Sequence, residues 1–194
     1  MKRNLISAIR NPDLAEGTES FEQLLPRHLD GLYNFALRLT RNEEQAKDLL
    51  QDCCLRAFEK FHQLKNVQRF KQWLFQIMHR KFINSYRRKK EPELIDIELN
   101  EDLLTDTYET FDKNRFVQWT PFGENLIGDE VQKAFDFLPV EFREIILLAD
   151  IEELSYREIS EILDIPMGTV ASRLYRSHSL LKEKLQEYAR KLGY

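Results

Sequence analysis

Residues 155–174 read SYREISEILDIPMGTVASRL, which is the pattern of two short helices joined by a tight turn. Ser155 followed by Glu158 is a capping box, an arrangement that satisfies unpaired amides at the start of a helix. The apolar residues that follow at helical spacing are Ile159, Ile162 and Leu163. One side of this first helix therefore enters a core, and the stretch predicts a helix-turn-helix.

The second half of the motif supplies the turn and the start of the next helix. Pro166 ends the first helical pattern, Gly168 relieves the backbone of the turn, and Thr169 has the side chain of a helix cap. Asp164 stands where the turn needs an unusual backbone conformation, which aspartate tolerates. We therefore expect Thr169 to cap the second helix.

The second helix has an inward side and an outward side. Val170 and Leu174 lie four residues apart and pack this helix against the first one. Arg173 and Arg176 are then left to face a phosphate backbone. A helical hairpin in an unrelated protein would show the same caps and stripe, so DNA binding stays a hypothesis that the rest of the chain must support.

Charge is distributed unevenly along the 194 residues. Residues 1–90 carry 18 Lys and Arg against 10 Asp and Glu, residues 91–130 carry 2 against 12, and the remainder carries 9 against 11. The formal net charge of −4 argues against a protein that coats DNA by charge alone. A basic block, an acidic connector and a nearly neutral block favour DNA binding that a partner assists.

Composition also bounds the cellular setting. No stretch is long and apolar enough to cross a bilayer, and the N-terminus leads into no secretory apolar run. Cys53 and Cys54 are neighbours in a helical pattern, where side chains diverge, so they fit small buried residues better than a disulfide or zinc ligands. We expect a cytoplasmic protein with no membrane insertion, no metal and no cofactor.

Apolar residues recur at helical spacing over most of the chain, and no segment shows the alternation of a strand. Helices are predicted at about 20–40, 43–61 and 70–89, with Asn42 as the cap of the second. The periodicity stops in the acidic stretch 91–128 and returns after it. The predicted fold is all-α, with two small helical domains, each with its own core, an acidic linker between them, and the helix-turn-helix in the second.

A polar face on the second predicted helix is a candidate binding surface. Asp48, Gln51 and Asp52 share this face, opposite the apolar stripe of the same helix. Such a face is also common as plain solvated surface, so the spacing alone leaves both interpretations open.

The third predicted helix and the residues before it mix basic and aromatic side chains over residues 65–90. Single-stranded nucleic acid requires this mixture, because cations follow phosphates and aromatic rings receive unstacked bases. Phe70, Trp73 and Phe82 lie at helical spacing, so we expect at least two of the three in the core.

Five motifs occur together in one order. They are FALRLTRN at 35–42, DLLQD at 48–52 followed by Arg56-Ala57-Phe58, FKQWLFQI at 70–77, LPVEFRE at 138–144, and the helix-turn-helix ending in GTVASRL at 168–174. With these motifs the chain resembles a bacterial RNA polymerase sigma factor of the extracytoplasmic-function family, the minimal kind with only the second and fourth conserved sigma regions. Several motifs in the right order are far more specific than one helix-turn-helix.

The resemblance implies a division into two domains with different contacts. Residues 15–92 correspond to sigma region 2, which binds core polymerase and the minus-ten element, and residues 129–190 correspond to sigma region 4, which binds the minus-35 element. Residues 93–128 are then the acidic linker. The resemblance thus implies a transcription initiation factor that directs core RNA polymerase to specific promoters, melting and capturing the minus-ten element.

The resemblance also implies which residues make these contacts. Asp48, Gln51 and Asp52 match the surface that binds the clamp coiled coil of the largest polymerase subunit. The residues matching the minus-ten part are Arg69, Lys71, Trp73, Arg80, Asn84, Arg87 and Arg88. The residues matching the minus-35 part are Thr169, Ala171, Ser172, Arg173 and Arg176.

This chain departs from the family pattern in the helix-turn-helix. Ala171 stands where a basic or polar residue is usual, and His178 where arginine is common, so phosphate contacts there are expected to be weaker. Ser160 and Asp164 replace the usual alanine and glycine, without putting the turn in doubt.

The resemblance implies core RNA polymerase, promoter DNA and an anti-sigma factor as partners. We expect the two domains to close on one another or around a helical partner, covering both the polar face of the second helix and the recognition helix. A response-regulator effector would share the helix-turn-helix, but the front half lacks the phosphoacceptor strand pattern. An enzyme is disfavoured, because the four histidines show no triad order or metal spacing and no glycine-rich phosphate loop occurs.

Overall fold

The computed structural model describes residues 19–89 and 129–191, and within these ranges the chain forms helices and turns without a strand. The front unit contains α1 (Phe21–Leu24), α2 (Leu29–Thr40), α3 (Glu43–Lys60) and α4 (Phe70–Lys89). The back unit contains α5 (Asp129–Phe137), α6 (Val140–Ile146), α7 (Tyr156–Leu163) and α8 (Met167–Lys191). The prediction of an all-α fold is confirmed, and the predicted acidic linker 93–128 lies outside the described residues.

The long helices of the front unit begin and end where the sequence supplies caps. Arg41 takes the left-handed conformation (φ 55°) and ends α2. The Asn42 side chain then accepts a hydrogen bond from the Gln45 amide at 2.9 Å, which starts α3 as predicted. α2 packs on α3 and α3 on α4, so the polar face of α3 is held on the outside of a three-helix core.

An aromatic cluster fixes the connection between α3 and α4. Phe70, the first residue of α4, lies edge to face with Phe21 and with Phe61, at 5.9 Å between ring centroids in both cases. Phe61 begins a short 3-10 turn, and a second one, Val67–Arg69, leads directly into α4. The loop before α4 is therefore anchored at both ends by buried rings.

The first helix of the helix-turn-helix has the predicted caps. Ser155 N donates to Glu158 Oε2 at 2.8 Å, and Ser155 Oγ accepts from Glu158 N at 3.3 Å, which completes the capping box. α7 ends at Asp164, which takes the left-handed conformation (φ 56°) that was expected to be tolerated there.

The start of the second helix differs from the prediction. α8 begins at Met167, and its first hydrogen bond runs from Val170 N to Pro166 O at 3.0 Å. Thr169 therefore lies inside the helix and does not cap it, and Gly168 is helical and adopts no left-handed conformation. The reason is that Asp164 alone takes the unusual conformation, after which Pro166 has a φ already suited to the start of a helix.

The two units do not keep separate cores, contrary to expectation. α4 packs on α7 and α2 on α6, and the buried apolar side chains of the two units form one continuous cluster. Small helical units have little apolar surface to spare, and contact between them removes more of it from water. The packing brings α4 next to the helix-turn-helix.

Candidate polymerase and nucleic-acid interfaces

α3 presents one polar face to solvent. Asp48, Gln51 and Asp52 are all exposed on this face. The buried residues of the same helix are Ala46, Leu49, Cys53 and Ala57. The structure therefore brings the three predicted polymerase-contact residues together on an outward surface, with Asp52 also paired to Lys81 of α4 at 3.4 Å. That pair is largely exposed and adds little to stability.

Leu55 belongs to the same surface, and sequence reasoning missed it. Its side chain is 58% exposed, one turn beyond Gln51 and Asp52. A large apolar side chain on an otherwise polar face marks a contact surface better than the polar residues do. The signal was present in the sequence, because Leu55 falls outside the apolar stripe of α3.

Most aromatic residues of α4 are structural. Phe70, Phe75 and Phe82 are buried, while Trp73 is half-buried. The prediction that at least two of Phe70, Trp73 and Phe82 belong to the core is confirmed. Trp73 is therefore the aromatic side chain among these three that remains accessible to a base.

Trp73 stands between two surface clefts. The first has a volume of about 440 Å³ and is lined by the loop before α4, by α4 itself and by Glu161 of α7. The second, of about 500 Å³, lies between α3 and α4 and includes Arg80 and Asn84. Trp73 and Gln63 line both clefts, so one indole side wall is shared by two spaces bordered by cationic and amide side chains.

The predicted minus-ten residues fall into two groups. Arg80 and Asn84 are exposed. Arg69 and Lys71 instead contact acidic residues of the back unit: Arg69 Nη1 lies 3.3 Å from Glu161 Oε2, and Lys71 Nζ lies 3.0 Å from Glu152 Oε2. Arg87 and Arg88 are on the last turn of α4, and their side chains lie outside the described part of the structure.

The N-terminal turns of α8 form the predicted minus-35 surface. Val170 and Leu174 are buried and hold the helix in place. The five predicted residues, Thr169, Ala171, Ser172, Arg173 and Arg176, are all partly exposed. Sequence reasoning missed Met167 and Tyr175, which are 56% and 51% exposed on the same helix. They add apolar and aromatic contact area to a surface predicted as basic and polar.

His178 has a structural partner. Its Nε2 lies 2.6 Å from Asp150 Oδ2, in the wide π-helical turn Leu147–Ile151 that follows α6. Both side chains are about three-quarters buried. His178 therefore connects α8 to the body of the back unit, in a position where the family pattern has arginine.

The two cysteines behave as small buried residues. Cys53 is fully buried, with its Sγ 3.6 Å from Leu74 O, and Cys54 is half-buried; both are free thiols. Burial raises the pKa of the Cys53 thiol to about 12, so it carries no thiolate near neutral pH.

Two further searches concern residues 19–89 and 129–191 only. Over these ranges, no three His, Cys, Asp or Glu side chains are grouped as they would be around a metal ion. The helices of the same ranges include none with the length and apolar character needed to span a membrane.

Comparison with known proteins identifies the two units. The model of Sigma-70 region 2 matches residues 24–91, and that of Sigma-70, region 4 matches residues 128–179. The chain is 31% identical over 172 residues to the ECF RNA polymerase sigma factor SigE of Mycolicibacterium smegmatis, an alignment that spans 88% of this chain and 63% of that protein. It is 30% identical over 167 residues to the RNA polymerase sigma factor YlaC of Bacillus subtilis, spanning 86% of this chain and 92% of that protein.

A solved structure agrees with this result. The fold is similar to that of the sigma factor RpoE from Bartonella quintana, crystallised in complex with the anti-sigma factor NepR, with a TM-score of 0.63 and 26% identity. The match covers 86% of this chain and 96% of that one. The chain therefore belongs to the extracytoplasmic-function RNA polymerase sigma factors of the sigma-70 family, transcription initiation factors that direct the polymerase to promoters.

Proposed function

We propose that this sigma factor uses three separate surfaces for promoter recognition. The polar face of α3 binds core RNA polymerase, α4 with the loop before it captures melted minus-ten bases, and the start of α8 reads the minus-35 duplex. The observation that carries the proposal is the position of Trp73 between two clefts, because it joins an accessible aromatic ring to nearby cations on one helix.

The α3 surface supports the polymerase contact. Asp48, Gln51 and Asp52 are outside the core, and Leu55 supplies the apolar contact area that polar rims of interfaces usually surround. Polar side chains that fold the protein would be paired or buried, whereas Asp48 and Gln51 are exposed.

The α8 surface supports duplex binding. Val170 and Leu174 anchor one side of the helix, and Arg173 and Arg176 remain partly accessible on its outer side. Arginine reads guanine edges in the major groove or binds phosphate. Met167 and Tyr175 lie beside them and would contact the groove wall or thymine methyl groups.

We further propose an anti-sigma factor as the regulatory partner, since the similar RpoE of Bartonella quintana was crystallised in complex with the anti-sigma factor NepR. The described residues offer no reactive thiol to act as a sensor, because Cys53 is buried with a raised pKa and Cys54 is half-buried. The protein itself acts without catalytic activity of its own, and it acts in the cytoplasm, where polymerase and promoters meet.

The test is run-off transcription from genomic templates with core polymerase and the purified full chain. We expect promoter-specific transcripts that need both components. Trp73→Ala should reduce open-complex formation several-fold and be partly rescued by a premelted template. Phe137→Ala is the matched control, because Phe137 is an exposed aromatic residue of α5 outside the three surfaces.

Unchanged open-complex formation in Trp73→Ala would remove α4 from the proposal. Because Trp73 is half-buried, thermal unfolding of both variants is measured alongside, and a loss that premelting does not rescue is attributed to folding.

A further inference from the structure

The back unit places two carboxylates on the face of α4 assigned above to DNA. Lys71 Nζ donates to the backbone oxygen of Glu152 at 2.7 Å and lies 3.0 Å from its carboxylate. Arg69 lies 3.3 Å from the carboxylate of Glu161. Two of the cations expected to meet phosphates therefore already have anionic partners, both supplied by the other unit of the same chain.

Glu161 is held by more than charge. Its carboxylate accepts a hydrogen bond from Gln72 Nε2 at 2.6 Å, and its backbone oxygen accepts one from Gln76 Nε2 at 2.9 Å. The hydrogen bond from Gln72, then the nearby charges of Arg69 and Arg157, lower the pKa of the Glu161 carboxyl. Glu161 is thus a charged residue that also forms one wall of the cleft beside Trp73.

Glu152 sits in a site shaped for it. Its side chain is only 10% exposed, and the turn that carries it continues through Glu153, which takes the left-handed conformation (φ 54°). On the opposite side lies Gly31 of α2, where an added Cβ would be 3.1 Å from Glu152 Oε1. Glycine weakens a helix, so its place in the first turns of α2 makes room for the Glu152 carboxylate when the units meet.

The same packing also removes a cation from water. Arg143 of α6 is buried against α2, with its Nη1 3.5 Å from Arg38 O. Burial, together with the like charge of Arg41, lowers the pKa of Arg143 to about 10. Desolvation of this guanidinium opposes closure, and the partly exposed ion pairs that favour closure are screened by salt. The arrangement is therefore built to be reversible.

From these contacts we propose that the back unit is a built-in competitor for nucleic acid on α4, with Glu152 and Glu161 taking the places of phosphates. The proposal depends on the function proposed above for α4. In this closed form the polar face of α3 and the start of α8 stay exposed, so closure does not cover them, contrary to the sequence-based expectation. Core polymerase can bind the closed chain, and the two units must separate before melted DNA reaches α4.

The experiment compares two ways of opening the full chain. Glu152→Gln with Glu161→Gln removes the two carboxylates, whereas Gly31→Ala crowds the Glu152 site without changing charge. Glu153→Gln with Glu183→Gln is the matched control, since it removes two exposed carboxylates from the same unit. Each protein is measured by small-angle X-ray scattering without DNA and by binding of a short fluorescent oligo(dT) strand.

Both opening variants should have larger dimensions than wild type and bind oligo(dT) several-fold more tightly, while the control matches wild type. Gly31→Ala should do so with unchanged or higher thermal stability, because alanine favours α2. Unchanged dimensions in both opening variants would overturn closure. Larger dimensions with unchanged oligo(dT) affinity would overturn the competition.

One added substitution separates this inference from the function on which it rests. Lys71→Ala is placed in the opened Glu152→Gln, Glu161→Gln chain, and its oligo(dT) affinity should fall. If it falls but opening itself gives no gain, the competition alone is wrong. If Lys71→Ala changes nothing in the opened chain, α4 is not the nucleic-acid surface, and both proposals are wrong.

Discussion

The surfaces on α4 and α8 were both predicted to bind nucleic acid, yet they meet different neighbours in the folded chain. On α4, Arg69 and Lys71 are paired with carboxylates of the back unit. On α8, Arg173 and Arg176 remain partly exposed, beside the accessible side chains of Met167 and Tyr175. One surface is covered within its own chain, and the other is available as it stands.

The difference shows that a basic stretch and an available basic surface are separate properties. A cation near a carboxylate must exchange that partner for phosphate, so its binding to DNA is a competition, whereas a cation in water only releases counterions. Duplex recognition by α8 is therefore expected to be independent of the arrangement of the units, and single-strand capture by α4 is expected to depend on it. The following predictions break or sharpen this contrast, from the largest effect to the smallest.

Arg173→Ala and Lys71→Ala test whether the two surfaces act at different steps. Arg173→Ala should weaken binding of the duplex promoter by about 1–3 kcal/mol, which is roughly tenfold or more, because an arginine contact to a base or phosphate is lost. A premelted template should not rescue it. Lys71→Ala should chiefly impair opening and be partly rescued by premelting, as measured by closed- and open-complex formation.

The contrast fails if both variants respond identically to premelting. Lys182→Ala serves as the control for loss of a cation, because Lys182 is exposed on α8 beyond the turns proposed to enter the groove.

Gln51→Ala tests whether the face on α3 is a third surface, independent of the other two. Holoenzyme assembly should weaken by more than about 1 kcal/mol if Gln51 is an important interface residue. Thermal stability should change by no more than about 0.5 kcal/mol, because Gln51 is exposed. Binding to core polymerase is measured in solution, with Gln45→Ala on an exposed first-turn position as control. Unaltered core binding would leave the face as plain solvated surface.

His178→Ala tests how the α8 surface is held. The substitution removes the 2.6 Å contact to Asp150 and leaves that partly buried carboxylate without this partner. The free energy of unfolding should fall by about 1 kcal/mol, and Tm should fall by a few degrees. Ser179→Ala, exposed at the next position, should have no effect. Equal Tm values for the two variants would show that the contact does not position α8.

Substitution of the cysteines should have the smallest effect. Cys53→Ala and Cys54→Ser are expected to leave transcription and its regulation unchanged, because one thiol is buried with its pKa raised to about 12 and the other is half-buried. Thiol-specific reagents should label Cys53 only after unfolding. Loss of regulation in either variant would place sensing in the chain itself and contradict the proposal of an external partner.

Much of the fold followed from local patterns. The ends of α3 and α4 were predicted within one residue, because Asn42 is a strong cap and the apolar positions repeat at helical spacing. The capping box of α7 and the left-handed Asp164 were predicted for the same local reasons. The start of α8 was misplaced at Thr169, since a threonine near a turn resembles a cap whether or not the preceding proline already begins the helix.

What the sequence alone determined is the set of elements and the outward or inward side of each, because caps and helical periodicity act within a few residues. The exposed face of Asp48, Gln51 and Asp52 is of this kind. Only the tertiary structure decided that Lys71 meets Glu152 and that Gly31 makes room for it, because these residues are far apart in the chain and their contact depends on how the two units pack. Long-range charge pairing leaves no periodic trace in the sequence, so the covered state of α4 became visible only in the folded molecule.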